Sequence, residues 1–221
     1  TLAQFPSQMR AVTQQDYLGT ILGMPPKFGQ VAKAYVTKDA ATFAQYLAGQ
    51  PGERDPLATS IYLLSYDTNG AFTVPGPALL QNIQTYLEQY RMLTDTIILK
   101  PAYIINIQVN FDIIIRPNYT SRDVLAGCLS VLRAYFAREN WQINQPIILS
   151  EIYTALDQIA GVQTVQKVSI NNIAGTNQGY SQYSYDIPGA TLNGVIYPSL
   201  DPSIFEVKYL DTDIQGRVVT F

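Results

Sequence analysis

The chain has 221 residues, enough for one large domain or two small ones with a proper core. Apolar residues make up 47% and charged residues 14%, well below the usual ~25%, which leaves much neutral polar and aromatic surface of the kind partners cover. Net charge is −3, no run of like charge occurs and there is no histidine. The composition thus lacks a basic footprint for phosphates, histidine-based zinc sites and the Ser-His-Asp or Cys-His catalytic sets.

Nucleic acid is therefore not an expected partner. No apolar run approaches the ~18 residues a membrane span needs, and the first ten residues lack the layout of a secretory signal, so a membrane is not an expected partner either. Neither a Walker loop nor a dinucleotide fingerprint is present. No cofactor, metal or small-molecule substrate is expected.

In chain order, residues 10–24 read as a helix: Thr13 and Asp16 form a capping pair, and Tyr17, Leu18, Ile21 and Leu22 share a face before Gly23 and Pro25-Pro26. Val31 to Val36 reads as a strand. A short helix and a turn at Gln50-Pro51-Gly52 are expected over 42–56. Ser60 to Tyr66 is a strand closed by the turn signal Asp67 to Gly70. Leu79, Leu80, Ile83, Tyr86, Leu87 and Tyr90 recur at helical spacing, which predicts an amphipathic helix from Ala78 to Arg91. A short strand, Thr96 to Leu99, follows.

The most regular pattern runs from Tyr103. Ile105, Ile107, Val109, Phe111, Ile113 and Ile115 alternate with Asn106, Gln108, Asn110 and Asp112, a period of two that gives a strand one oily and one wet face. A helix is expected from Arg122 to Arg138, capped by Thr120 with Asp123. A second runs from an N-cap at Ser150 to Ala160, stopped by Gly161. A strand returns over Val162 to Ile170. Cys128, the one cysteine, falls on the apolar side of the first helix and reads as a buried thiol. The two helices cover the oily strand face, and the wet face, Asn106 to Asp112, is left outward. That face is a candidate protein contact, with plain solvent exposure as the alternative.

Residues 171–203 then turn to Gly, Asn, Gln, Ser and Tyr, with Tyr180, Tyr183, Tyr185 and Tyr197 spread through them. Either this is a docking arm whose tyrosines meet a partner, or it is a long hairpin packed on its own domain. Phe205 to Leu210 and Arg217 to Phe221 read as a closing hairpin around Gln215-Gly216. The fold class is α+β: two small subdomains, 1–100 and 101–221, each a mixed or antiparallel sheet with helices on one face.

Candidate catalytic residues are few. Asp112 lies on the wet strand face and Glu151 in a first helical turn, and no second carboxylate is placed to make an acid/base pair with either. An enzyme is not expected, and a wall-degrading hydrolase is disfavoured on this ground.

Arg10-Ala11-Val12-Thr13-Gln14-Gln15-Asp16-Tyr17, the segment Gln84 to Leu99, the step Pro101-Ala102-Tyr103, Leu132 to Phe136, and Ile148 to Tyr153 leading to Ile159 to Val162 occur in an order and spacing that resembles the baseplate J-like proteins. These are wedge components of contractile phage tails, T4-like tails among them, and of related injection machines. The resemblance spans roughly residues 10 to 170. It implies a structural subunit that forms a homodimer and joins other baseplate wedge proteins in the ring around the tail hub, assembled in the host cytoplasm and carried in the virion tail. It also implies that the chain is a C-terminal portion of a longer protein. The Tyr-rich segment matches none of the family's motifs, and a carbohydrate- or receptor-binding tail module, with those tyrosines as an aromatic platform, is the alternative reading.

Overall fold

The computed structural model describes residues 10–38, 58–92 and 96–219. The fold is α+β, and the chain forms two compact units that meet at Ala102 and Tyr103. The elements expected over 42–56 lie outside the described residues.

In the first unit, α1 (Gln14–Leu22) is shorter than the expected 10–24 and starts directly after the expected Thr13 cap. Thr13 Oγ1 accepts the Asp16 N–H at 3.1 Å, while Asp16 Oδ2 accepts the N–H groups of Thr13 at 2.8 Å and Val12 at 3.1 Å. These backbone donors hold the Asp16 carboxyl below its ordinary range. Tyr17 and Ile21, one turn apart, are buried, but Leu22 is exposed, because the next residue is rotated about 100° off the buried line. Strand β1 (Lys33–Lys38) lies two residues later than expected. It pairs antiparallel with β2 (Thr59–Tyr66).

The turn after β2 is built by Asp67, whose Oδ1 accepts the N–H groups of Asn69 and Ala71, both at 2.8 Å. Gly70 supplies the left-handed φ of 75° that the reversal into β3 (Phe72–Thr73) requires. Helix α2 (Pro77–Leu87) opens with Pro77 and ends earlier than its apolar spacing suggests. Strand β4 (Ile97–Pro101) adds to β2 in parallel, so the sheet is mixed. Ile83 and Leu87 of α2, Tyr17 and Ile21 of α1, and Val36, Ile61 and Leu63 of the sheet form one apolar cluster.

The second unit is organised on β5 (Tyr103–Ile115). Ile105, Ile107, Val109, Phe111 and Ile113 are all sealed from solvent, as their period predicts. Helices α3 (Ser121–Tyr135) and α4 (Leu149–Asp157) bury Val124, Cys128, Leu132, Ile152 and Leu156. A two-residue strand, β6 (Ile147–Ile148), directly precedes α4, and β7 (Val162–Asn172) returns antiparallel along β5. Neither predicted cap forms: Thr120 makes no side-chain cap bond, and the α4 N-cap is Ile148 instead of Ser150. Gly161 has φ 94°, and a Cβ there would meet the Tyr119 ring at 2.6 Å, so it serves the turn into β7 beyond the helix end.

After β7 come a hairpin, β8 (Thr191–Leu192) and β9 (Val195–Ile196), then β10 (Ser203–Glu206) and β11 (Ile214–Val218). The expected closing hairpin is not there. β10 and β11 both run parallel to β5, with Ser203 opposite Tyr103 and Ile214 opposite Val109. Tyr103 donates to Pro202 O at 3.0 Å and Val109 to Asp213 O at 2.8 Å. Amides at odd positions of a strand point to one edge, so β10 and β11 follow one another along the same edge of β5, separated by an excursion over 207–213. Gly216 is no turn residue. It faces Phe111, whose ring would lie 2.2 Å from a Cβ at that position.

Candidate protein-interaction site

The wet residues of β5 do not behave as one face. Asn106, expected outward, is 1% exposed. Its β10 neighbour is Glu206, whose side chain is itself buried, and a buried carboxylate needs donors. Asn106 Nδ2 donates to Glu206 Oε2 at 2.9 Å, and Arg138 Nε donates to Glu206 Oε1 at 2.9 Å. Asn106 Oδ1 accepts the Ser181 N–H at 2.7 Å, and its carbonyl accepts Ile173 N–H and Asn172 Nδ2, both at 2.9 Å. The Asn106 side chain thus joins β5, β10 and the segment after β7, and Glu206 extends the link to Arg138, three residues beyond α3.

Gln108, Asn110 and Asp112 are half-buried. Asp112 makes a two-point ion pair with Arg217 of β11, with Nε–Oδ1 at 2.5 Å and Nη2–Oδ2 at 2.9 Å. The hydrogen bond from Arg217, with the Arg217 and Lys167 charges, holds the Asp112 carboxyl below its ordinary range against the effect of burial.

The segment from Ile173 to Ser203 packs on its own unit, and the hairpin within it spans only Thr191 to Ile196. Tyr180 donates its hydroxyl to Asp213 Oδ1 at 2.7 Å. Burial and then that carboxylate push its phenol pKa up. Asp213 also accepts the Tyr209 N–H on Oδ2 at 2.9 Å, which holds the excursion between β10 and β11 in shape. Lys208 Nζ donates to Gly179 O. Tyr183 stacks on Tyr103, centroids 4.7 Å apart, and Tyr185 follows at 6.5 Å from Tyr183. Tyr185 N–H donates to Asn172 Oδ1 at 2.9 Å and its hydroxyl to Tyr197 O at 2.8 Å. Burial pushes the Tyr185 phenol up. Tyr197 is the most open of the four, 49% exposed.

Glu206, Arg138, Asp213 and Arg217 escaped the sequence reading, though one signal was present. Glu206 interrupts the apolar run Ile204-Phe205-Glu206-Val207, where a carboxylate has no reason to sit without a buried partner. The remaining chemistry is quiet. Burial pushes the Cys128 thiol up to about 11, so it stays protonated near neutral pH. Glu151 accepts the Tyr135 hydroxyl at 2.9 Å. Among the described residues no three metal-ligating side chains converge, and no helix is long and apolar enough to cross a membrane.

No protein-family model matches the chain, and no curated protein matches it in sequence. Among solved structures, the cryo-EM structure of the anti-feeding prophage (AFP) baseplate, 6-fold symmetrised, contains a chain similar in fold, with a TM-score of 0.50 and 13% sequence identity. The match covers 74% of this chain but only 34% of that one, so this chain spans about a third of its neighbour's length and the likeness is one of fold.

Proposed function

We propose that the protein is a structural subunit of a contractile-tail baseplate, a wedge component that pairs with a second copy and with other wedge proteins in the ring around the tail hub. In this reading it is assembled in the host cytoplasm, retained in the virion tail, and has no catalytic role. The observation that carries the proposal is the fold shared with a baseplate chain over 74% of the sequence. The ordered signatures from Arg10 to Val162 support it independently. So does the chemistry of the second unit, where Glu151, Glu206, Asp112 and Asp213 are all engaged in internal bonds. The contact surface would use Gln108, Asn110 and Asp112 of β5 together with Tyr197. Asn106, Tyr180, Tyr183 and Tyr185 would hold that surface in shape from behind.

The test is to purify assembled tail particles from cells that make the protein and to analyse them by quantitative mass spectrometry. The chain is expected to co-purify with sheath and tube proteins in a fixed ratio, and cells lacking it to yield no sheathed tails. Recovery of the chain only as free protein, with normal tails in the deletion, would overturn the proposal. Light scattering at tens of micromolar tests the pairing: a mass twice that of the chain is expected, and a strict monomer counts against the homodimer.

A further inference from the structure

Strands β6, β9 and β8 form a three-stranded antiparallel sheet whose two faces are both apolar. Ile147 and Ile196 are paired, with Thr191 beyond them, and the two isoleucines are buried. On the opposite face Ile148, Val195 and Leu192 form a row across the three strands. Tyr197 N–H donates to Ala190 O at 3.1 Å, which makes these two the next pair and, two residues along each strand, puts them on the same outer face. An antiparallel sheet with one face on a core ordinarily turns polar residues to solvent. Here Leu192 is 63% exposed and Tyr197 49%, on a face with no charged residue. Further on, Leu200 is fully exposed.

The sheet is held firmly. Asn193 and Gly194, with φ of 53° and 77°, make the tight turn that matches strand twist. Leu149 N–H donates to Gly194 O at 2.9 Å, and Thr191 Oγ1 donates to Ile187 O at 2.7 Å. A partner would meet a preformed surface and pay little to order it. The two chain segments that build the sheet carry charge of one sign. From Glu139 to Gln166 and from Val168 to Val207 no Lys or Arg occurs, and the exposed Asp186 and Asp201 bracket the hairpin.

We infer that the outer face of this small sheet docks a different baseplate protein, one that offers an apolar patch edged by Lys or Arg. A two-fold contact of this face with a second copy would bring its acidic flanks together, so charge complementarity selects a basic-rimmed neighbour. The inference rests on the assembly reading above and names the surface it uses.

The experiment places p-benzoylphenylalanine at Leu192 in the full chain, irradiates assembled particles, and maps the crosslinks by mass spectrometry. A crosslink to another protein, within a few residues of Lys or Arg, is expected. Leu192→Asp should lower incorporation into particles about tenfold or more, as should Asp186→Lys combined with Asp201→Lys. Because Leu192 is exposed, the purified Leu192→Asp chain should keep its melting temperature within about 2 °C. Particles that contain the chain yet give no crosslink, a crosslink to a second copy, or undiminished incorporation of Leu192→Asp would overturn this inference and leave the assembly reading standing. Particles that lack the chain altogether defeat both.

Discussion

Strand β5 and the segment from Ile173 to Asp186 belong to one unit but are held by opposite means. Five alternate residues of β5 are sealed from solvent, and their only requirement is to be apolar and of the right size. The later segment has no fully buried side chain among its described residues and hangs on tyrosine stacking and single polar contacts: Tyr183 on Tyr103, Ser181 on Asn106, Tyr185 on Asn172, Tyr180 on Asp213. Apolar burial is spread over many atoms and fails only when the whole core fails. A handful of hydrogen bonds can open locally. The segment should therefore be a lower-stability part of the unit, able to adjust without unfolding the sheet beneath it.

The largest effect is expected from Ile107→Ala, which removes a fully buried side chain from the centre of β5. A loss of about 2–5 kcal/mol is expected in urea unfolding, with amide exchange rising across β5 and β7 together. If exchange rises only near residue 107, the core is not the cooperative body described above. Asn106→Ala probes the other region. It strips the Ser181 N–H of its acceptor and Glu206 of one of its donors. The expected cost is about 1–3 kcal/mol, with the steepest gain in exchange between Ser181 and Tyr185. Uniform exchange across the unit would show that the segment is part of the core. Tyr180→Phe, which removes only the hydroxyl bound to Asp213, should cost about 0.5–1.5 kcal/mol and raise exchange around Tyr209 while leaving β5 unchanged.

The same division decides what could be read from the sequence. The Thr13–Asp16 cap, the Asp67–Gly70 turn, the alternation of β5 and the antiparallel return of β7 are local or periodic, so the residues that cause them are neighbours in the chain. What stayed hidden depends on distant partners. Asn106 is indistinguishable from Gln108 by period, and only Glu206, a hundred residues later, makes it a buried residue. Gln215-Gly216 has the composition of a turn, yet the glycine answers to the ring of Phe111 across the sheet. The parallel placement of β10 and β11 on β5 leaves no local trace, since a strand's sequence does not record the direction of its neighbour. For the candidate interface, the tyrosines were visible as a composition shift. Which of them are spent on internal stacking was not, because Tyr103 and Tyr183 come together only through the fold.

The smallest effect concerns the one ion pair on the half-buried face of β5. Asp112 and Arg217 are Cα partners across β5 and β11, and Arg217 is 74% exposed, so solvent screens the pair and its contribution is minor. Its signature is the pH dependence. The Asp112 carboxyl is held below its ordinary value of 3.8, first by the hydrogen bond from Arg217. A depressed folded-state pKa gives stability that is complete above the unfolded value and is lost as pH falls through the folded one. Wild type should thus exceed Asp112→Asn in urea midpoint near neutral pH, and the gap should close on acidification below 3.8. If the gap stays constant with pH, the difference comes from packing of the amide and not from the charge. If it closes while β11 keeps its slow amide exchange, β11 is held to β5 by the register of Ile214, Gly216 and Val218 on the sealed side. The edge strand would then belong with the core in the contrast drawn above, although it lies closer in sequence to the polar segment.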